Sequence, residues 1–235
     1  MYNEISIDRV KKIVSDSFEN LGIEGISVFL HSERVAEYSK ALTAECVKKY
    51  KELVDKIDPE RVYLSGILHD IGKKVFPIEL LNGKSKLNDE DIEKIKTHPL
   101  EGYNLLKKAE EKYNIKLWQD ICDAVLFHHE NYDGTGYPEG KKNGEIPLIA
   151  RILRVADFYD ASFTRIKTNG GIKQNEENCP CVKTKEYCIE QLKERKGTFF
   201  DPNIADIFIE IIKKPVEIIS EKINENNLIY KTNSF

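Results

Sequence analysis

The chain has five histidines in 235 residues: His31, His69, His98, His128 and His129. Asp70 follows His69, Pro99 follows His98, and His129 follows His128 directly. Neutral imidazole is the commonest transition-metal ligand, and a carboxylate can complete or bridge a metal site. One histidine on an apolar helix is usually an ordinary core or surface residue, so the signal lies in the set. Adjacent imidazoles are useful where two ions sit close together, or where two ligands approach one ion from the same side. The stretch HHENYDGTGYPEG (128–140) then runs into glycine and proline and cannot stay helical.

Asp157 belongs with the histidines. It interrupts the apolar run IARILRVADFYDA, and Asp160 and Thr164 share its helical face. A carboxylate inside such a run must be paired, hydrogen-bonded or metal-bound. Two readings stay open for Asp157: an ion pair with Arg151 or Arg154, or metal ligation. Asp160 either orients a ligand or accepts a proton as part of the catalytic set, or is a plain helix-surface acid.

The elements that must position these groups read as helices. ERVYLSGILHDI (60–71) carries its apolar residues largely on one side, with Gly72 as its stop. LWQDICDAVLFHHE (117–130) and IPLIARILRVADFYDASF (146–163) have helical spacing, the second with Pro147 near its first turn. Asp201-Pro202 reads as a cap and a first-turn proline opening NIADIFIEIIKK. Residues 4–21 and 216–225 are two further expected helices. No alternating strand run and no fixed repeat appears, so the expected fold is all-α. The organisation expected is an N-terminal helical extension over 1–26 and one main unit over 27–235.

NGGIKQNEENCPCVKT (169–184) reads as an inserted loop of uncertain role, and Cys179 and Cys181 in it as loop residues rather than ligands, because no four-ligand zinc set accompanies them. Five cysteines, an odd count, argue against a disulfide scaffold. The net charge of −4 makes a nucleic-acid duplex a poor partner. The N-terminus lacks the apolar run of a signal peptide, and no stretch reaches the ~20 apolar residues of a membrane span. Cytoplasmic location follows as an expectation.

The chain resembles the HD-GYP subgroup of the HD phosphohydrolase superfamily. The matching blocks are HSERV (31–35), LHDIGK (68–73), KTHPLEGYNLL (96–106), HHENYDGTGYPEG (128–140), IPLIARILRVADFYDA (146–161) and GTFFDP (197–202). They stand in the family's order, extend over roughly residues 28–213 and take in every histidine. The resemblance implies an HD-domain helical bundle with the HD-GYP extension. It implies a metal-dependent phosphodiesterase that opens cyclic di-GMP to pGpG or cleaves on to GMP. As metal ligands it implies His31, His69, Asp70, His98, His128, His129 and Asp157, with Asp70 bridging two divalent ions, iron or manganese. In the family a third ion goes with a Glu four residues before the first histidine; Ser27 stands there, so two ions are expected.

Lys73, one turn past the HD pair, is implied to hold a phosphate oxygen during catalysis. Gly136 and Tyr137 are implied to border the substrate, although Tyr137 has the alternative of capping the core under the loop. The Gly-Tyr-Pro loop is implied as a docking surface for domains that make cyclic di-GMP. After Asp160 the family often reads DALTSDRPYR; here DASFTRIKT (160–168) is one residue shorter and lacks Pro-Tyr. Arg165 and Lys167 are the cations left to contact substrate phosphate. The N-terminal helix packs on the core or joins two copies as a homodimer. Three rival readings accompany the main one: hydrolysis of another nucleotide such as a hybrid cyclic dinucleotide, a non-catalytic nucleotide-binding or docking module, and a metal site used for redox or oxygen sensing.

Overall fold

The computed structural model describes residues 22–51, 56–81, 87–113, 117–164 and 184–214, together with Val10 and Val14. The described helices are α1 (Gly22–Lys49), α2 (Pro59–Leu68), α3 (Ile78–Leu81), α4 (Asp89–Ile95), α5 (His98–Tyr113), α6 (Gln119–Phe127), α7 (Leu148–Thr164), α8 (Lys185–Glu194) and α9 (Pro202–Lys213). Among the described residues the extended pairings are two isolated bridges, Asp133 with Lys142 and Lys196 with Phe200. The all-α expectation holds.

The helix ends follow local chemistry. Asp58 caps α2 by accepting from the Glu60 N–H, and Pro59 opens it where a missing N–H costs nothing. Asp201 does the same for α9, accepting from the Asn203 and Ile204 N–H groups ahead of Pro202. Two expected ends move inward. α2 stops at Leu68 rather than at Ile71, and α6 stops at Phe127 rather than at Glu130. Gly72 is therefore not the stop; it lies within a 3-10 turn over Ile71–Val75. Its role is close approach, because a Cβ there would lie 2.0 Å from the His98 carbonyl oxygen. Pro147 precedes α7 rather than sitting inside it.

α1, α3, α4, α5 and α8 carry no helix expectation from the sequence. α1 runs across residues 26 and 27, where the main unit was expected to begin. Of the expected N-terminal helix, only Val10 and Val14 are described, both helical and buried. The expected helix at 216–225, the 169–183 part of the inserted loop, Arg165 and Lys167 lie outside the described residues.

Two apolar clusters meet along α1. Val35, Leu42 and Cys46 of α1 pack with α7, α8 and α9, through residues such as Ile152, Leu192 and Phe208. Phe29 and Ala36 pack with α2, α5 and α6, through Ile67, Leu106 and Ile121. Each fully buried side chain of this size contributes about 1.5–3 kcal/mol. Cys46, Cys122 and Cys188 are buried, and burial pushes Cys46 and Cys122 up to about 11. Among the described residues no helix is long and apolar enough to cross a membrane.

Candidate metal centre

The two clusters leave a polar seam between them. His31 lies on α1, His69 and Asp70 follow the end of α2, and His98 opens α5. His128 and His129 follow the end of α6, and Asp157 lies mid-way along α7. The structure brings all seven together. The ligand atoms of His98, His128 and His129 lie within 4.8 Å of one another, and so do those of His31, His69 and Asp157. Asp70 stands between the two triads. Its Oδ1 is 3.2 Å from His98 Nε2; its Oδ2 is 3.4 Å from His69 Nε2 and 3.7 Å from His31 Nε2.

The termini of helices orient the rings. The last carbonyls of an α-helix have no partner within it. Nδ1 of His69 meets the Gly66 carbonyl at 2.7 Å, Nδ1 of His98 the Ile95 carbonyl at 2.8 Å, and Nδ1 of His128 the Val125 carbonyl at 2.8 Å. A carbonyl only accepts, so Nδ1 carries the proton in all three rings. Each Nε2 lone pair is thereby left to face the seam, which is how outer partners fix the tautomer of a metal-bound imidazole. His31 is held differently: its Nδ1 meets Asp160 Oδ2 at 2.6 Å.

The donor set fits a cation. His98 Nε2 and His128 Nε2 face each other at 3.2 Å with both Nδ1 protons already committed, so two lone pairs oppose. Two nitrogens each about 2.1 Å from one ion lie at roughly that separation. His69 Nε2 and Asp70 Oδ1 are buried with no hydrogen-bond partner. Buried polar atoms without partners are costly, and a bound ion satisfies both. Burial, with His69 and His98 alongside, pushes His128 well below its ordinary value; burial and His128 do the same to His129. Burial would lift Asp70 and Asp157, yet the neighbouring His69 and Lys73 hold Asp70, and the hydrogen bond from His31 holds Asp157, well below the usual carboxylate range. His31 is pulled the other way: Asp157 and Asp160 outweigh its burial and raise it to about 9. Neutral His128 and His129 beside charged Asp70 and Asp157 are in the ligand state of metal sites, whereas His31 would give up its Nε2 proton to a bound ion.

The open readings resolve on position. Arg151 bonds Asp201 at 2.6 Å and Arg154 bonds the Asn131 side-chain oxygen, while Asp157 meets His31 Nε2 at 3.1 Å. The arginine pairing considered for Asp157 is not what forms. Asp160 lies behind His31, and the orienting role fits that place. Lys73 reaches back one turn to Asp70 Oδ2. Tyr137 stacks on His129 with centroids 4.9 Å apart. Gly134 has φ +86, a conformation glycine tolerates. Gly136 serves a different need, since a Cβ there would lie 2.2 Å from the Asn131 nitrogen.

Two supporting groups escaped the sequence reading. Glu130 is buried, and its Oε1 accepts from the Glu139 and Gly140 N–H groups, pinning the far end of the Gly-Tyr-Pro loop. Arg34 donates to Asp160. The available signal was position alone: Glu130 extends the histidine pair, and Arg34 lies one turn past His31.

The family model for the HD domain matches residues 27–204. The chain belongs to the HD domain family. Its histidine pair and Gly-Tyr-Pro block place it in the HD-GYP subgroup. A Vibrio cholerae protein named cyclic di-GMP phosphodiesterase is 32% identical over 192 residues, covering 80% of this chain and 37% of its own length. The V. cholerae 3'3'-cGAMP-specific phosphodiesterase 1 is 31% identical over 152 residues, covering 63% of this chain and 32% of its own. The chain thus spans about a third of the length of these HD relatives. The crystal structure of a V. cholerae cyclic GMP-AMP-specific phosphodiesterase superposes with TM-score 0.56 at 14% identity, over 91% of this chain and 52% of that one. That likeness shows a shared HD fold.

Proposed function

We propose that this HD-domain protein is a metal-dependent phosphodiesterase of cyclic dinucleotides, with cyclic di-GMP as substrate. The observation that supports this most is Asp70, whose two oxygens face two separate triads of donor atoms. On this reading the seam would take two divalent ions, iron or manganese: His98, His128 and His129 would hold one, His31, His69 and Asp157 the other, with Asp70 as the ligand shared between them. Such a pair, when bound, supplies an acidified water near neutral pH and a clamp for phosphate oxygens.

The chain's own groups do the rest. The Gly66, Ile95 and Val125 carbonyls keep three imidazoles in the ligating tautomer. Lys73, an ammonium on a flexible stem, is placed to pass from Asp70 to a phosphate oxygen as negative charge builds on it. Tyr137, half-buried and stacked on His129, would offer its other face to a base. In the reaction a water oxygen bonds to phosphorus, the bond from phosphorus to the ribose 3'-oxygen breaks, and a proton passes to that oxygen. The linear product carries a 5'-phosphate.

Arg165 and Lys167 are kept as phosphate contacts. The exposed Pro138, Glu139 and Gly140 suit the loop to docking of a cyclic di-GMP-synthesising domain. The test is to load the purified protein anaerobically with Fe(II) or Mn(II), measure metal content, and separate products by chromatography. Appearance of pGpG or GMP supports the reading; a fully loaded protein that leaves cyclic di-GMP intact overturns it. A second substrate reading has its own support: nearly equal identity to the relative named for 3'3'-cGAMP. Running both dinucleotides side by side separates the two.

A further inference from the structure

His31 is anchored unlike its partners. Nδ1 of His69, His98 and His128 each donates to a neutral backbone carbonyl. Nδ1 of His31 donates to the Asp160 carboxylate, which crosses from α7. Asp160 is buried, and its two oxygens are gripped by one guanidinium. Arg34 Nε donates to Oδ1 at 2.7 Å, and an Arg34 terminal nitrogen donates to Oδ2 at 3.1 Å. A two-point fork fixes the plane of a carboxylate as well as its position. Arg34 itself lies one turn after His31 on α1, so imidazole and guanidinium face α7 together.

We infer that Arg34 is a positioning residue which, through Asp160, sets His31 and makes the two halves of the metal centre unequal. In the His98–His128–His129 half, His98 and His128 are anchored by backbone carbonyls, which survive side-chain exchange. In the His31–His69–Asp157 half, His69 is anchored in the same way, but His31 depends on a charged arginine–carboxylate–imidazole chain. Without the fork, the Asp160 plane turns and His31 Nε2 leaves its direction toward Asp157 and Asp70. Outer partners of metal-bound histidines commonly control affinity by 10–100-fold. Arg34 therefore governs one ion of the pair and leaves the other nearly untouched. This inference rests on the two-ion reading above.

The experiment titrates Mn(II) into the metal-free full chain by calorimetry and follows the electron paramagnetic resonance spectrum. Wild type, Arg34→Gln, Arg34→Lys and Asp160→Asn are compared, with Arg61→Gln as an arginine control away from the seam. Circular dichroism of each metal-free variant checks folding. For Arg34→Gln, the first equivalent is expected to bind as in wild type and the second about 10–100-fold more weakly. Its spectrum at two equivalents then shows isolated ions where wild type shows a coupled pair. Arg34→Lys, which keeps charge but loses the fork, falls between, and Asp160→Asn matches or exceeds Arg34→Gln. Two wild-type-like equivalents in Arg34→Gln, or equal weakening of both, overturns the inference. If wild type itself binds one equivalent or none, the two-ion reading fails first, and the titration shows that separately. Should Arg34→Gln fail to fold, Arg34→Lys and Asp160→Asn carry the same comparison.

Discussion

Four imidazoles in the seam, His31, His69, His98 and His128, do two jobs. One ring nitrogen closes an orphan carbonyl or carboxylate, and the other points at the shared space. His128→Ala removes both, since the ring is fully buried and bonds the Val125 carbonyl. Metal content is expected to fall, and hydrolysis to drop by at least about 100-fold, beyond the usual cost of losing an outer partner alone. Elemental analysis and initial rates check this. Gly72 is the second sensitive position. A Cβ there meets the His98 carbonyl at 2.0 Å and the Gly102 nitrogen at 2.5 Å, both backbone atoms that have little room to give. Gly72→Ala is expected to cost about 1–3 kcal/mol through overpacking. It also lowers metal affinity by shifting the start of α5, and urea unfolding with parallel metal titration reads both effects.

Short elements with defined ends make the site possible. α2, α4 and α6 each terminate so that a histidine three residues on covers a terminal carbonyl: Gly66 for His69, Ile95 for His98, Val125 for His128. The same device used three times gives three rings of one tautomer. The Gly-Tyr-Pro loop is an element of another kind, held by side chains instead of a ladder. Glu130 takes two N–H groups from Glu139 and Gly140, and Arg154 holds Asn131. Hydrogen bonds to a charged group contribute about 1.5–3 kcal/mol each. Glu130→Ala is expected to loosen the loop, speed proteolytic cleavage within 131–142, and weaken the Tyr137–His129 stack, with substrate KM raised more than kcat is lowered. A protease time course and steady-state kinetics test it. Unchanged cleavage would place the loop's order elsewhere.

For the whole molecule, the seam is a stored cost. Two buried carboxylates, opposed lone pairs and atoms without partners lie between two apolar clusters. An ion that binds only the folded chain relieves that cost and adds stability by mass action. At a free concentration roughly 100 times Kd this amounts to about 2.7 kcal/mol per site. In a chain of this size, that is about 5–10 °C in Tm. Stripping the protein with a chelator is therefore expected to lower Tm by at least that range, and Mn(II) added back to restore it. A scanning-calorimetry trace that ignores chelator and Mn(II) alike would contradict the metal-centre assignment.

Composition and order on the chain determined a good deal. Rare residue types did most of this: five histidines in 235 residues are few enough to stand out, and the HD-GYP resemblance of the blocks that carry them implied the ligand set with Asp70 and Asp157. Helical periodicity carried the all-α class because it repeats with every turn. Helix ends were less legible, since they depend on which carbonyl finds a partner. The assumed stop at Gly72 was wrong because that glycine answers a contact with α5, far along the chain. Asp157's choice between arginine and imidazole, and Arg34's grip on Asp160 across 126 residues, exist only after packing. Local sequence sets which atoms can donate or accept; which of them meet is decided by how α1, α2, α5, α6 and α7 converge.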